Sequence, residues 1–172
     1  MKPISLTVKG LNSFESAQTV DFTLLTKDGL FGIFGPTGSG KSSVLDGMTM
    51  ALYGDMARKS TNYINVNTDR ASVDFTFSIE DGYPHIYRVS RSFKRNKEGN
   101  IRAENARLVE IMGDDENVLA DKTTSVNKYC QSIIGLSLQD FFRTVVLPQG
   151  KFSEFLKLNG KERNQMLERL FH

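Results

Sequence analysis

Gly35-Pro36-Thr37-Gly38-Ser39-Gly40-Lys41-Ser42 satisfies the spacing Gly-x4-Gly-Lys-Ser/Thr of a phosphate-binding loop at every constrained position. The apolar run at 30–34 before it predicts a buried strand, and apolar residues at helical spacing after it predict a helix over 43–53. A strand, a glycine-rich turn and a helix thus follow one another as this motif requires. The other interpretation, a chance turn with a surface lysine, does not explain the flanking strand and helix.

The residue types in this loop suit the phosphates of a nucleotide. Glycines let the backbone take positive φ values and turn its N–H groups inward, and the start of a helix adds free N–H groups at the positive end of its dipole. We expect Lys41 to reach the β and γ phosphates of ATP and to act in catalysis, and the Ser42 hydroxyl to bind Mg²⁺. The predicted nucleotide-binding residues of this stretch are Gly35, Pro36, Thr37, Gly38, Ser39, Gly40, Lys41, Ser42 and Ser43.

Composition sets broad bounds on the protein. The sequence of 172 residues is 39% apolar and 24% charged, which predicts one globular domain, and a formal charge of +2 is too small to indicate nucleic acid binding by itself. The single cysteine, Cys130, predicts a half-buried helix residue in a reducing compartment. The N-terminal residues alternate like a strand and unlike a signal peptide, and no stretch is long enough to span a membrane, so a cytoplasmic protein is expected.

Two strands precede the phosphate loop, at 4–8 and 20–22, and are expected to pair antiparallel. In a simple doubly wound kinase the strand of the loop comes near the start of the chain, so this order indicates a mixed sheet. After the loop helix, the polar residues 54–69 predict a long loop, a common location of function.

The second half of the chain begins with a meander. Alternating residues at 71–79 and 86–93 on either side of Asp81-Gly82 predict a hairpin. The further predicted elements are a third meander strand at 106–111, helices at 122–134 and 137–142 with Ser137 capping the second, and a short strand at 144–147.

Several stretches together resemble one known family. They are Leu11-Asn12-Ser13-Phe14, the phosphate loop with Ser43-Val44-Leu45-Asp46 and Ala51-Leu52-Tyr53-Gly54 behind it, Tyr87-Arg88-Val89-Ser90-Arg91-Ser92-Phe93, and Phe141-Phe142-Arg143-Thr144-Val145-Val146-Leu147-Pro148-Gln149-Gly150-Lys151-Phe152. This combination resembles the N-terminal ATPase segment of the SbcC family, the bacterial relatives of the SMC-like double-strand-break-repair ATPases. The last stretch is the most specific, and the match spans nearly the whole chain.

The resemblance implies a fold and further site residues. The fold would be α/β, a P-loop NTPase of the ABC-ATPase type, with an N-terminal lobe of mixed sheet, antiparallel β meander and flanking helices. Residues 1–158 would form the N-terminal half of the head, and 159–172 would begin a helix that continues into a coiled coil. Gln149 resembles the family's glutamine that reaches Mg²⁺ and the attacking water, and Asn12 and Ser13 resemble its loop at the base and ribose. All three residues also suit plain turns.

Parts of a complete ATPase are missing from the sequence. A Walker B strand has about four apolar residues before its acids, whereas the stretch 109–116 has a charge inside it and a glycine before Asp114, so we reject it. The resemblance places Walker B and the signature motif in a C-terminal segment across the coiled coil, and implies that two heads sandwich two ATP molecules. We therefore expect this chain to bind nucleotide without appreciable turnover alone.

A basic stretch offers a second type of contact. Between residues 88 and 102 the chain has six Lys/Arg against Glu98 alone. Such residues would bind DNA phosphates independently of sequence, or they would protect a hairpin edge from pairing with another sheet. The DNA candidates are Arg58, Lys59, Lys94, Arg95 and Lys97.

Three functions remain open for this sequence. The chain is the N-terminal half of an ATPase head, a self-contained P-loop kinase or small NTPase, or a binding module whose helix at 161–171 is a docking surface. We favour the first, because Walker B is missing and two strands come early. The resemblance then implies four partners: the chain's own C-terminal segment, a second head, an SbcD-type nuclease and double-stranded DNA ends. It also implies a cytoplasmic, nucleoid-associated location without membrane contact.

Overall fold

The computed structural model describes residues 1–26, 31–56, 60–144, 159–161 and 164. The elements in chain order are β1 (Lys2–Lys9), β2 (Gln18–Asp21), α1 (Lys41–Tyr53), β3 (Arg70–Asp81), β4 (Tyr83–Arg95), β5 (Ile101–Met112), β6 (Asp115–Ala120), α2 (Thr123–Ile134) and α3 (Leu138–Thr144). The early strand pair, the loop helix, the three predicted meander strands and the two later helices are confirmed within a few residues of their predicted bounds, whereas β6 was not predicted.

The strands form one six-stranded sheet in the order β2-β1-β3-β4-β5-β6. Every neighbouring pair in it is antiparallel, so the predicted mixed sheet is wrong for the described residues. A parallel strand at the phosphate loop would need a parallel neighbour and helices on both faces of the sheet. The described part of this chain supplies no such neighbour.

The predicted strand before the phosphate loop is also wrong where the structure describes it. Residues 31–34 do not form a strand, and Phe31, Ile33 and Phe34 are 37%, 42% and 93% exposed. The apolar pattern indicates a need for burial, but no sheet partner lies beside it among the described residues. The short strand predicted at 144–147 is replaced at Thr144 by the end of α3, and 145–147 lie outside the described residues.

The core lies between one face of the sheet and the helices. Alternation along β3 places Val73, Phe75 and Phe77 on that face with 0% exposure, and Ile79 packs at its margin. Helices α1 and α2 cover this face, while Ser72, Asp74 and Thr76 of the other face are only partly buried. This is the usual arrangement of an antiparallel sheet with one packed and one polar face.

Helix α1 lies very close to β1 because a glycine stands at their contact. A Cβ atom at Gly47 would come within 2.8 Å of Val8 Cγ1 and 3.2 Å of Leu6 Cδ2. Both partners are buried in the core, at 2% and 0% exposure. The close approach brings the first turn of α1 near the loop that follows β1.

An arginine from the sheet holds the other end of α1. Arg91 on β4 is 3% exposed and donates hydrogen bonds to the carbonyl oxygens of Ala51 at 2.5 Å and Leu52 at 3.1 Å, and to Asn127 Oδ1 of α2 at 2.7 Å. These carbonyls belong to the last turn of α1, which carries the negative end of the helix dipole. The guanidinium therefore ties β4, α1 and α2 together.

Cys130 on α2 is fully buried at 0% exposure, whereas the sequence predicted a half-buried residue. Burial raises the pKa of its thiol to about 11, against a smaller lowering by Arg91, and burial lowers the pKa of Arg91 itself. A thiol in this position is a packing group, because its reactive thiolate form is disfavoured.

Candidate functional site

A cavity of about 580 Å³ opens at the first turn of α1. Its walls come from the loop after β1, the glycine-rich loop, the start of α1 and the segment after α1. The lining residues are Asn12, Ser13, Thr37, Gly38, Gly40, Lys41, Ser42, Ser43, Asp46, Met56 and Ser60. The fold thus brings the two separately predicted groups of nucleotide-binding residues into one site.

The glycine-rich loop needs its glycine at position 40 for two reasons. Gly40 has a φ of 88°, which side chains rarely adopt, and a Cβ there would lie 2.6 Å from Phe14 Cζ. Phe14 belongs to the loop after β1, so the two loops pack directly against each other. Among the other predicted positions, Pro36 and Ser39 close the turn, and neither they nor Gly35 line the cavity.

The first turn of α1 is suited to an anion. Its N-cap is Gly40, which offers no side-chain hydrogen bond, and the first turn contains no acidic residue. The N–H groups of this turn and the positive end of the dipole therefore face the cavity without a capping side chain. Ser42 is exposed at this point and presents its hydroxyl, whereas Ser43 is 5% exposed.

The Lys41 ammonium spans the glycine-rich loop. Its Nζ donates to the carbonyl oxygens of Gly35 at 2.8 Å and Pro36 at 2.7 Å. An ammonium has three donors, so it is able to exchange one of these bonds for a phosphate oxygen while keeping contact with the loop. The contact of Lys41 with the β and γ phosphates stays a prediction.

Asn12 joins the loop after β1 to the helix. Its Nδ2 donates to Ser43 Oγ and to Asp46 Oδ2, each at 3.3 Å. Asp46 is 3% exposed and lies one turn behind the phosphate loop. Residue 12 is also the one non-glycine residue with positive φ in the described part of the chain, at 50°. The loop is thus held in a specific conformation beside the cavity.

Sequence reasoning missed three lining residues, Asp46, Met56 and Ser60. Asp46 could have been found, because it follows Ser42 by four residues on a predicted helix and so shares its face. Met56 and Ser60 lie in the segment after α1, where no local pattern indicates which residues turn inward. Their place depends on contacts between that segment and distant parts of the chain.

The DNA candidates do not form one group. Lys94 and Lys97 lie at the β4–β5 hairpin, and both residues are exposed. The Arg95 side chain is 17% exposed, and both of its terminal nitrogens donate hydrogen bonds within the chain. Arg58, Lys59 and the catalytic candidate Gln149 lie outside the described residues.

The acids at 114–116 lie at the hairpin between β5 and β6, and β6 is the edge strand farthest from β1 and β2. No group of three or more His, Cys, Asp or Glu side chains able to hold a metal ion occurs in the described ranges. Within those same ranges, no helix combines the length and the apolar composition that crossing a membrane requires.

A family model described as an AAA domain matches residues 5–172. The chain belongs to this AAA domain family. The match includes the loop after β1, the phosphate loop and the meander. An α/β lobe with a phosphate loop at the start of α1 fits a P-loop ATPase, as the sequence predicted.

This AAA domain is also similar to curated proteins named as the SbcC subunit of the nuclease SbcCD. It is 58% identical to that of Clostridium acetobutylicum over 173 residues and 51% identical to that of Bacillus subtilis over 175, with 100% of the chain covered in both. Identity to the Vibrio cholerae protein is 33% over 99% of the chain. The chain spans 15% of the first two relatives and 18% of the third. The predicted resemblance to an SbcC N-terminal segment is confirmed.

Proposed function

We propose that this chain is the N-terminal, nucleotide-binding half of an ABC-type ATPase head and that it binds ATP with Mg²⁺. The observation that carries the proposal is the cavity where the loop at Asn12-Ser13 faces the phosphate loop across the N-terminus of α1. The two loops are distant in sequence, and both match the family to which the chain belongs. A chance glycine turn would not be expected to open into such a site.

Each part of the site has a proposed role. The N–H groups of the loop and of the first turn of α1 would hold the phosphates, and Lys41 would neutralise the charge on the β and γ groups. Ser42 would donate its hydroxyl oxygen to Mg²⁺, and Gln149 would contribute a second metal contact and orient the attacking water. The Asn12-Ser13 loop would contact the base and ribose.

The chain would bind ATP but would turn it over only with its C-terminal segment. The acids at 114–116 belong to a hairpin turn away from the phosphate loop, so they do not replace a Walker B carboxylate. Hydrolysis relies on groups placed around the γ phosphate, and a missing set removes most of the rate. In this proposal residues 1–158 are half of a head, 159–172 lead into a coiled coil, and two heads close around two ATP molecules.

The assembly would act on DNA in the cytoplasm, at the nucleoid. The relatives are named as subunits of the nuclease SbcCD, which supports a role in DNA repair with an SbcD-type nuclease as partner. The exposed Lys94 and Lys97 at the hairpin would contact DNA phosphates near a double-stranded end, with Arg58 and Lys59 as further candidates.

The test measures Mg²⁺-ATP binding and hydrolysis by this chain alone and then with its C-terminal segment added. We expect binding by the chain alone, turnover only with both parts, and binding weakened at least about tenfold by Lys41→Ala. Lys128→Ala, a change of an exposed lysine on α2, is the matched control and should bind like the wild type.

Two outcomes would contradict the proposal. Robust hydrolysis or phosphate transfer by the chain alone would favour a self-contained NTPase or kinase. Binding of ATP that is equally strong in Lys41→Ala would place the nucleotide elsewhere.

A further inference from the structure

Arg95, the last residue of β4, points back into the protein although it lies in the basic stretch. Its Nη1 donates to the Thr68 carbonyl oxygen at 2.9 Å, and its Nη2 lies 2.6 Å from the Ile64 carbonyl oxygen and 3.3 Å from that of Asn65. Asn62 Oδ1 accepts from the same nitrogen at 3.0 Å. One guanidinium thus gathers the carbonyl groups of the segment at 62–68.

Asn65 continues the connection toward the cavity. The residue is 9% exposed, and its Nδ2 donates to the Asn12 carbonyl oxygen at 2.8 Å. Its backbone N–H donates to the Gly10 carbonyl oxygen at 2.8 Å, and the N–H of Asn12 donates to the Tyr63 carbonyl oxygen at 2.8 Å. The segment at 62–68 therefore holds the loop after β1 by hydrogen bonds on both sides of Leu11.

Asn12 accepts or donates two of these hydrogen bonds and also lines the cavity. Its backbone has a φ of 50°, a conformation that costs free energy in a residue with a side chain and needs support from its surroundings. The bonds from Asn65 and Tyr63 supply that support. With the backbone held in this way, the Asn12 amide reaches Ser43 and Asp46 on α1.

We propose that Arg95 and Asn65 are positioning residues for nucleotide binding, which act by holding Asn12 and Ser13 as one wall of the cavity. This inference rests on the proposed function. It separates Arg95 from Lys94 and Lys97, because a guanidinium that already serves four acceptors is not free to follow a DNA phosphate. The basic hairpin and the nucleotide cavity are thereby joined through a chain of hydrogen bonds.

The chemistry of arginine makes the inference specific. A guanidinium has five donors in a planar fork and can serve several carbonyl groups at once, whereas a lysine ammonium at the end of a flexible chain cannot match that geometry. Arg95→Lys therefore keeps the charge but loses the shared hydrogen bonds to the segment at 62–68. Asn65→Ala removes the bond to Asn12 at the other end of the connection.

The experiment titrates the 172-residue chain and its variants with Mg²⁺-ATP and, separately, with Mg²⁺-tripolyphosphate. The connection acts on the Asn12-Ser13 wall and leaves the phosphate loop in place, so the two ligands should respond differently. We expect Arg95→Lys and Asn65→Ala each to weaken ATP binding about fivefold or more, as the loss of one well-placed hydrogen bond would. Tripolyphosphate binding should change less than about twofold.

Two control variants match these changes. Arg107→Lys alters an exposed arginine of β5, and Asn105→Ala alters an exposed asparagine of the same strand whose side chain bonds Ser92. Both should bind the two ligands like the wild type. Thermal melting of every variant verifies that the protein is folded at the titration temperature, and if Arg95→Lys does not fold, Asn65→Ala decides.

The outcomes separate this inference from the proposed function. Unchanged ATP affinity in the folded variants would overturn the positioning role, as would an equal loss for ATP and tripolyphosphate, which indicates a general structural effect. Absence of ATP binding in the wild type, or binding insensitive to Lys41→Ala, would overturn the proposed function and this inference with it.

Discussion

Arg91 and Arg95 occupy the same strand and the same basic stretch, yet both point into the protein. Arg91 holds the carbonyl groups at the end of α1, and Arg95 holds those of the segment at 62–68. Each replaces water at backbone acceptors that secondary structure leaves unpaired. A count of charges along β4 therefore overestimates the charge available for a partner.

Arg91→Met is expected to destabilise the protein by about 3 kcal/mol. The substitution retains apolar bulk but leaves the buried carbonyl groups of Ala51 and Leu52 and the amide of Asn127 without their donor. Urea denaturation followed by circular dichroism measures the change. Arg107→Met, at an exposed position of β5, is the control, and an equal effect there would contradict the assigned role.

Cys130 should make stability depend on alkaline pH. Burial raises the pKa of the folded thiol to about 11 from an ordinary value of 9.0. Below about pH 9 both states keep the proton and stability is unaffected, whereas between about pH 9 and 11 only the unfolded state loses it. Stability should therefore fall across this window by about 3 kcal/mol.

Urea denaturation of the wild type and Cys130→Ala at about pH 8 and about pH 10.5, on either side of the unfolded thiol's pKa, tests this dependence. The alanine variant is expected to lose less stability than the wild type between the two pH values, because it lacks the titrating thiol. The same pH-dependent loss in both proteins would show that other groups account for it.

The helices differ in how their ends are held. Helix α1 begins without a side-chain cap at the cavity and ends at Arg91, whereas α3 begins with a side-chain cap from Ser137. Ser137 Oγ accepts from the Asp140 N–H at 3.2 Å and donates to Asp140 Oδ2 at 2.6 Å. Helix α2 also begins without a side-chain cap, so the uncapped N-terminus of α1 supports the proposed site only together with the cavity at its first turn.

Ser137→Ala is expected to destabilise the protein by about 1 kcal/mol, because the N–H of Asp140 loses its acceptor at the start of α3. Thermal melting at neutral pH measures the effect. Ser132→Ala, an exposed change within α2, should have almost no effect. Equal melting temperatures for Ser137→Ala and the wild type would contradict the capping role.

The described part of the chain presents the two proposed functional regions on one antiparallel sheet. The proposed nucleotide cavity lies where β1 and α1 meet, and the exposed lysines lie at the far end of β4. Neither region is indicated by the total charge of +2, since charges of both signs are spread over the surface. Two ion pairs, Arg70–Glu104 and Arg88–Glu116, join opposite charges on the meander. They reduce the net electrostatic field around it.

Replacing Lys94 and Lys97 together by glutamine is expected to weaken DNA binding and to reduce the slope of log K against log salt by about one for each lysine. Each lysine that contacts a phosphate releases counterions, and a glutamine does not. Fluorescence anisotropy with a blunt duplex at several salt concentrations measures the slope. The pair Lys122→Gln and Lys128→Gln, exposed at α2, is the control. An unchanged slope would remove the hairpin from the proposed DNA surface.

The sequence by itself determined the phosphate-loop motif, three strands of the meander, three helices, the Ser137 cap and the family, whereas β6 was not predicted. These features depend on residues close together in the chain, where spacing and periodicity are direct evidence of geometry. The predicted strand before the phosphate loop is wrong because a strand also needs a distant partner. An apolar pattern indicates that burial is needed, but it does not indicate which strand will lie alongside, and the described residues provide none for 31–34.

Only the tertiary structure decided the sheet order, the hydrogen bond from Asn12 to Asp46, and the inward direction of Arg91 and Arg95. Each of these depends on contacts between distant parts of the chain. Local preferences do not determine such contacts, because the partner is chosen by how whole elements pack. One short loop therefore predicted a nucleotide-binding site, whereas the residues that hold the site in shape were identified only from the folded chain.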